Sequence, residues 1–194
     1  MRTVTYSMNI SLDGYIADSG GDFAWSEPDD EVFRFWIDDI RGVDVHVLGR
    51  RLYETMLYWE TVDQDDPALD EATREWVALW NPLPKVVFSR TLTSVQGKNV
   101  RLVSGNLVEE IERLRAEPGD GEIAIGGAEL AAQAAAAGLI DEYRSVVYPV
   151  LVGGGNSFYP RHEQRADLEL VETRTFKSKF VYLRHRVVRG VGQG

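Results

Sequence analysis

The chain has 194 residues, 44% of them hydrophobic, and a formal net charge of −10. It has no cysteine, which excludes disulfides, thiolate metal sites and a cysteine nucleophile. The acidic balance speaks against a general nucleic-acid binder, because neutralising phosphates needs a basic face, yet leaves room for a small phosphorylated ligand held by local arginines. The first residues, MRTVTYSMNI, lack the order of a signal peptide, and no apolar run approaches the roughly 18 residues of a membrane span. A cytoplasmic protein is expected, with no membrane or nucleic-acid partner.

Residues 2–9 predict a strand, followed by a loop with the turn signals Asp13-Gly14 and Gly20-Gly21. Phe33, Trp36, Ile37 and Ile40 stand at helical spacing, with Asp29 or Asp30 as cap and Gly42 past the end. A strand is predicted at 43–48 and a short helix at 50–57. Asp66-Pro67 offers a cap and first-turn proline for another helix, striped by Leu69, Ala72, Trp76 and Leu79 and stopped by Asn81-Pro82. Strands follow at 85–89 and 100–103, then a helix through Leu107, Val108, Ile111 and Leu114 that ends before Pro118. A strand at 122–125 runs into Gly126-Gly127 and an alanine-rich helix reaching Gly138. The last third reads as strands alone, at 142–152, 168–176 and 180–188.

Alternating strands and helices imply parallel crossovers, and the strand-only end implies an antiparallel edge. The expectation is an α/β fold of three layers (αβα), a mixed and mostly parallel sheet with antiparallel C-terminal strands. One domain is expected over 1–190, with 191–194 frayed.

Three strand ends carry polar or glycine-rich chemistry. Ile125-Gly126-Gly127-Ala128 passes from strand to helix, where glycine admits close approach and a helix start offers N–H groups to phosphate. The same pair reads equally as a tight turn. Leu48-Gly49-Arg50-Arg51 places two guanidiniums at the next strand end, able to clamp phosphate or simply to sit solvated. Phe88-Ser89-Arg90 repeats the pattern with a hydroxyl and a guanidinium. Ligands of open α/β sheets lie outside the carboxyl ends of strands, so the three segments converge on one polyanionic ligand. The three histidines, His46, His162 and His185, have no metal-site spacing, and no metal is predicted. Asp13 suits an Asx-type turn before Gly14 better than catalysis.

Ser11-Leu-Asp-Gly-Tyr-Ile-Ala17, Leu48-Gly-Arg-Arg-Leu-Tyr-Glu54, Phe88-Ser-Arg90, Ile125-Gly-Gly-Ala-Glu-Leu130 and Gly154-Gly-Asn-Ser-Phe-Tyr-Pro160, in that order, resemble the landmarks of the dihydrofolate-reductase-like superfamily. The branch they resemble is related to the reductase domain of riboflavin biosynthesis, and the likeness runs from about residue 2 to 188. The resemblance implies an eight-stranded mixed sheet with NADPH across its carboxyl edge. It places Ile16 and Ala17 in a loop over the nicotinamide, and Gly49, Arg50 and Arg51 beside the pyrophosphate and adenosine phosphate. Ser89 and Arg90 would flank the 2′-phosphate, and Gly126, Gly127, Ala128, Glu129 and Leu130 would line the cofactor. Trp25 and Phe33 fall where it places the substrate pocket, although aromatics at helical spacing also serve a core. It further implies a homodimer, to which residues 143–152 could contribute.

The sequence departs from the pattern where a proton donor is needed. The helix position that orients the pterin in dihydrofolate reductases falls near Phe33; Glu31 or Asp30 could replace it only after a shift of the helix, and otherwise serve its first turn. The residue before the two glycines, often acidic in the riboflavin branch, is Ile125. The catalytic residue is therefore left unassigned. Two readings follow: an NADPH-dependent reductase of a small conjugated heterocycle, or a non-catalytic NADP(H)-binding domain of the same fold. A Rossmann dehydrogenase is disfavoured by the missing G-x-G-x-x-G.

Overall fold

The computed structural model describes residues 1–159 and 165–189; His162 and the tail 191–194 lie outside the described residues. The strands are β1 (Val4–Ser11), β2 (Tyr15–Ala17), β3 (Val43–Gly49), β4 (Lys85–Phe88), β5 (Val100–Val103), β6 (Glu122–Gly126), β7 (Glu142–Tyr148), β8 (Asn156–Ser157), β9 (Leu168–Thr175) and β10 (Val181–Val187). The helices are α1 (Asp30–Ile40), α2 (Arg50–Met56), α3 (Glu71–Trp80), α4 (Leu107–Ala116) and α5 (Ala128–Ala136).

Eight strands form one sheet in the order β5-β4-β3-β6-β1-β7-β10-β9, while β2 and β8 pair apart from it. The mixed, mostly parallel sheet agrees with the expected fold class, and its last three strands meet in antiparallel pairs as expected. β7 pairs parallel with β1, and β10 alone runs against the others, because it folds back from β9 through a tight turn and inserts between β9 and β7. In that turn Lys179 adopts φ 69° and the Phe176 N–H donates to the Phe180 carbonyl at 3.0 Å.

The period of two along β3 assigns its faces. Val45 and Val47 join a core with Leu107, Ile111 and Leu114 of α4 and Leu130, Ala131 and Ala134 of α5. Leu48 faces the other way, with Ile40 of α1, Tyr53 of α2 and Trp80 of α3. The alanines of α5 let its axis approach the sheet closely, and Ala134 is fully buried. A third cluster, Val32, Val146, Tyr148, Phe176 and Tyr182, seats the start of α1 on β7 and β10.

Helix α3 begins later than expected. Asp70 is its cap, accepting from the Thr73 N–H at 2.9 Å and the Thr73 hydroxyl at 2.6 Å. Asp66 instead closes a local turn on the Ala68 N–H at 2.8 Å, leaving Pro67 outside the helix. β7 is an interior strand, buried along nearly its whole length, so the expected contribution of 143–152 to a shared interface does not hold for that strand.

Candidate functional site

The carboxyl ends of β3, β6 and β1, adjacent in the sheet, open onto a cleft of about 1220 Å³. At β3 and β6 it is lined by Gly49, Arg50, Arg51, Gly127, Ala128, Glu129 and Leu130. At β1 it is lined by Met8 and Asn9, with Ile16 and Ala17 of β2 and residues of the following loop closing the wall.

The helix starts at this cleft differ from those elsewhere. Asp29 caps α1, Asp70 caps α3 and Asn106 caps α4, each accepting a first-turn N–H. The start of α5 behind Gly127 has no side-chain cap, and neither has α2 behind Gly49. The first-turn N–H groups of α5 therefore lack a side-chain acceptor at the rim, and the helix dipole favours an anion there. Gly127 adopts φ 100°, a value that L side chains resist.

Gly126 does not line the cleft. A Cβ on it would stand 2.6 Å from Leu52 Cδ2 and 2.9 Å from His46 Cε1, so the missing side chain makes room for packing beneath the rim.

Arginine and carboxylate alternate around the end of the cleft at β3 and β6. Arg50 donates to Glu54 at 2.7 Å and to the Thr91 hydroxyl at 2.8 Å, tying α2 to the loop after β4. Arg51 lies 3.7 Å from Glu129 across the rim, both strongly exposed. Ser89 and Arg90 stand outside the lining. The Ser89 hydroxyl accepts from the Thr91 and Leu92 N–H groups at 3.2 and 3.0 Å, and the exposed Arg90 sits within the turn so formed.

Trp25 and Phe33 also lie outside the lining. Trp25 donates to the Asp22 carbonyl at 3.2 Å and meets the edge of Tyr148. Phe33 packs between Trp59 and Trp76, with ring centroids 6.2 and 5.8 Å away. Glu31 turns toward the β9–β10 turn, accepting from the Lys177 N–H at 2.9 Å and from Arg174 at 3.3 Å. The Lys177 bond, with Arg174 beside it, holds the Glu31 carboxyl below its ordinary range. Ile125 is buried in the core.

The wall at β1 is braced by polar groups near the chain's start. Asp13 accepts from the Ser11 hydroxyl at 2.6 Å and from the Gly153 N–H at 2.8 Å, and the Ser11 bond, followed by those from the backbone, lowers its pKa. Asp18 accepts from the Gly20 and Asp22 N–H groups at 2.8 and 2.9 Å, closing the loop after β2 on itself. Sequence reasoning missed Phe23 and Glu27, which line the cleft. They follow Gly20-Gly21 in a stretch without periodicity, and the bond from Asn9 Nδ2 to the Ser26 carbonyl at 3.0 Å ties that stretch to the end of β1.

The comparisons extend over nearly the whole chain. The family model of the RibD C-terminal domain matches residues 2–182. Protein YyaP of Bacillus subtilis (strain 168) is 28% identical over 183 residues, covering 94% of this chain and 93% of its own. The structure of a putative riboflavin biosynthesis protein from Shewanella sp. PV-4 is 28% identical with a TM-score of 0.76, covering 96% of this chain and 99% of that one. A deaminase/5-amino-6-(5-phosphoribosylamino)uracil reductase from Thermotoga maritima shares the fold at TM-score 0.63 and 15% identity, over 96% of this chain and 57% of its own. A sheet with one reversed strand inside its C-terminal edge, a cleft across three parallel strand ends and a family match from residue 2 to 182 agree: the chain belongs to the RibD C-terminal domain family.

Proposed function

We propose that the cleft takes NADPH and that the chain is a reductase of a small conjugated heterocycle of the pterin, pyrimidine or flavin kind. The observation that carries this reading is the start of α5 without a side-chain cap behind Gly127, facing Arg50 and Arg51 within one cleft. Membership of the RibD C-terminal family supports it, as does the reductase activity in the printed name of the Thermotoga maritima relative. When bound, the nicotinamide supplies a hydride. The chain's own part is to hold the phosphates at the N–H groups of Ala128, Glu129 and Leu130 and at the two guanidiniums. Ile16 and Ala17 exclude water on the other side, and Arg90, exposed within the Ser89–Thr91 turn, is the guanidinium for a 2′-phosphate.

The second reading is an NADP(H)-binding domain without turnover. Phe33, packed among tryptophans, and the buried Ile125 favour it, because both stand where an acid was sought. Loss of NADPH absorbance across a panel of pterins, quinones and nitro compounds separates the two. Turnover with one heterocycle is expected; binding of NADPH with no turnover across the panel would favour the second reading.

A homodimer belongs to the proposal as well. β9, the sheet edge, is exposed along its whole length, and Leu168, Leu170 and Val171 give it an apolar component. The mass in solution, measured by light scattering, should be twice that of one chain, and a monomer would refute it. Among the described residues no helix is long and apolar enough to cross a membrane.

A further inference from the structure

Arg50 and Arg51 both line the cleft, and the chain holds them in different ways. Arg51, with a side chain 78% exposed, has one partner among the described residues, Glu129 at 3.7 Å. Arg50 is fixed on two sides. Its Nε donates to Glu54 Oε1 at 2.7 Å, and its Nη1 to the Thr91 hydroxyl at 2.8 Å. A guanidinium is a planar fork of donors, so fixing two of its nitrogens fixes the direction of the third. Nη2 makes no hydrogen bond among the described residues and keeps its donors for a ligand.

The two braces differ in kind. Glu54 stands one turn further along α2 and sets a negative charge beside any anion that Arg50 would hold. Thr91 comes from the loop after β4, orients the same group and opposes no anion. That loop is anchored on both sides of Thr91. On one side the buried Ser89 hydroxyl accepts from the Thr91 and Leu92 N–H groups and lies 3.4 Å from the Thr91 hydroxyl. On the other, Leu92 and Val95 pack against the cluster that contains Tyr53. The Tyr53 hydroxyl accepts from the Gln96 N–H at 2.6 Å and donates to the Gln96 carbonyl at 3.0 Å. Tyr53 belongs to α2, so the helix that carries the guanidinium also secures the loop that carries its acceptor.

We propose that Thr91 is the positioning residue for the phosphate end of this cleft. It stands outside the lining and acts through Arg50, holding the guanidinium in the pose in which an anion meets it. Ser89 then acts by closing the turn that presents Thr91, rather than by meeting a phosphate itself. An arginine fixed before the ligand arrives loses less side-chain freedom on binding, and that saving appears as affinity. Arg51, with one distant partner, supplies charge without direction. The proposal rests on the reading of the cleft as a dinucleotide site.

Calorimetry with NADPH and with inorganic pyrophosphate, on the intact protein at low ionic strength, tests Thr91. Thr91→Val keeps the shape and removes the acceptor. It should weaken both ligands about three- to tenfold, and Thr91→Ser should stay within about twofold of the parent. In an Arg50→Ala background Thr91→Val should change binding by less than about twofold, because no guanidinium is left to orient. Parent-like affinity in Thr91→Val, or a loss in Thr91→Ser as large as in Thr91→Val, would overturn the proposal. So would an equal loss in both backgrounds, which is what a merely structural role of the loop would give. Pyrophosphate that binds where NADPH does not would contradict the dinucleotide reading alone, and Thr91 is then decided on pyrophosphate. Binding of neither would overturn both.

Discussion

Gly126 and Gly127 are neighbours in the chain and meet different surroundings. Gly126 lies over Leu52 and His46, and overpacking of this kind costs about 1–3 kcal/mol. Gly126→Ala should therefore lower the melting temperature while leaving the shift caused by NADPH unchanged. Gly127→Ala has room for its methyl group, but the backbone at φ 100° does not suit it. This substitution should diminish the NADPH shift itself, and an undiminished shift would argue against the α5 start as a phosphate site. The sequence cannot tell the two glycines apart, because what separates them is Leu52 and His46 arriving from another strand and helix. Glu129 stands at the same rim, 3.7 Å from Arg51, and would compete with a phosphate bound there. Glu129→Gln should tighten NADPH binding by up to about five-fold, as expected for loss of an exposed ion pair, and weaker binding would contradict the competition.

The elements were legible where periodicity and capping agree. α1 was readable from Phe33, Trp36, Ile37 and Ile40 together with Asp29, whose side chain accepts the Val32 N–H at 2.8 Å. α3 was readable as a helix but not at its start, since Asp66-Pro67 and Asp70 are both capping signals and only the second closes on Thr73. Asp70→Ala should destabilise the protein by about 1 kcal/mol, seen as a lower denaturant midpoint, whereas Asp66→Ala should change it much less. The direction of β10 was partly legible. Strand-only sequence announces antiparallel pairing, but nothing local says that β10 inserts between β9 and β7. For the site, the strand-end signals at Arg50, Arg51 and Gly127 were local and readable, while Phe23 and Glu27 depend on Asn9 reaching Ser26 across the chain. Trp25 and Phe33 show the reverse case: their partners Tyr148, Trp59 and Trp76 are distant in sequence and draw them away from the lining.

Across the molecule, charge is buried at the end of the sheet away from the cleft. Arg144 on β7, almost fully buried, meets Glu142 at 2.8 Å, Glu122 of β6 at 2.6 Å and Asp39 of α1 at 3.0 Å. Burial alone would raise the Glu142 pKa, but the hydrogen bonds from Arg184 and Arg144 outweigh it and hold it low. Removing the arginine with Arg144→Met takes the partner from Glu122 and Asp39, while Glu142 keeps Arg184, and should cost about 3 kcal/mol in a denaturant titration. His46 adds a dependence on pH: burial, with Lys85 nearby, pushes its pKa from 6.5 down to about 4. The unfolded chain then binds the proton first. The contribution is full above about pH 6.5, and roughly 3 kcal/mol is lost as pH falls toward 4. Stability measured against pH should lose this part of its slope in His46→Asn, and an identical slope in both proteins would refute the assignment.

The central claim is that the cleft across β3, β6 and β1 is a dinucleotide site. A ligand that binds only the native state at about a hundred times its Kd adds about 2.7 kcal/mol of stability. The melting temperature, followed with increasing NADPH, should rise by roughly 5–10 °C for a chain of this size. The rise should shrink when Arg50 and Arg51 are both replaced by alanine. A melting temperature unmoved by millimolar NADPH would contradict the claim.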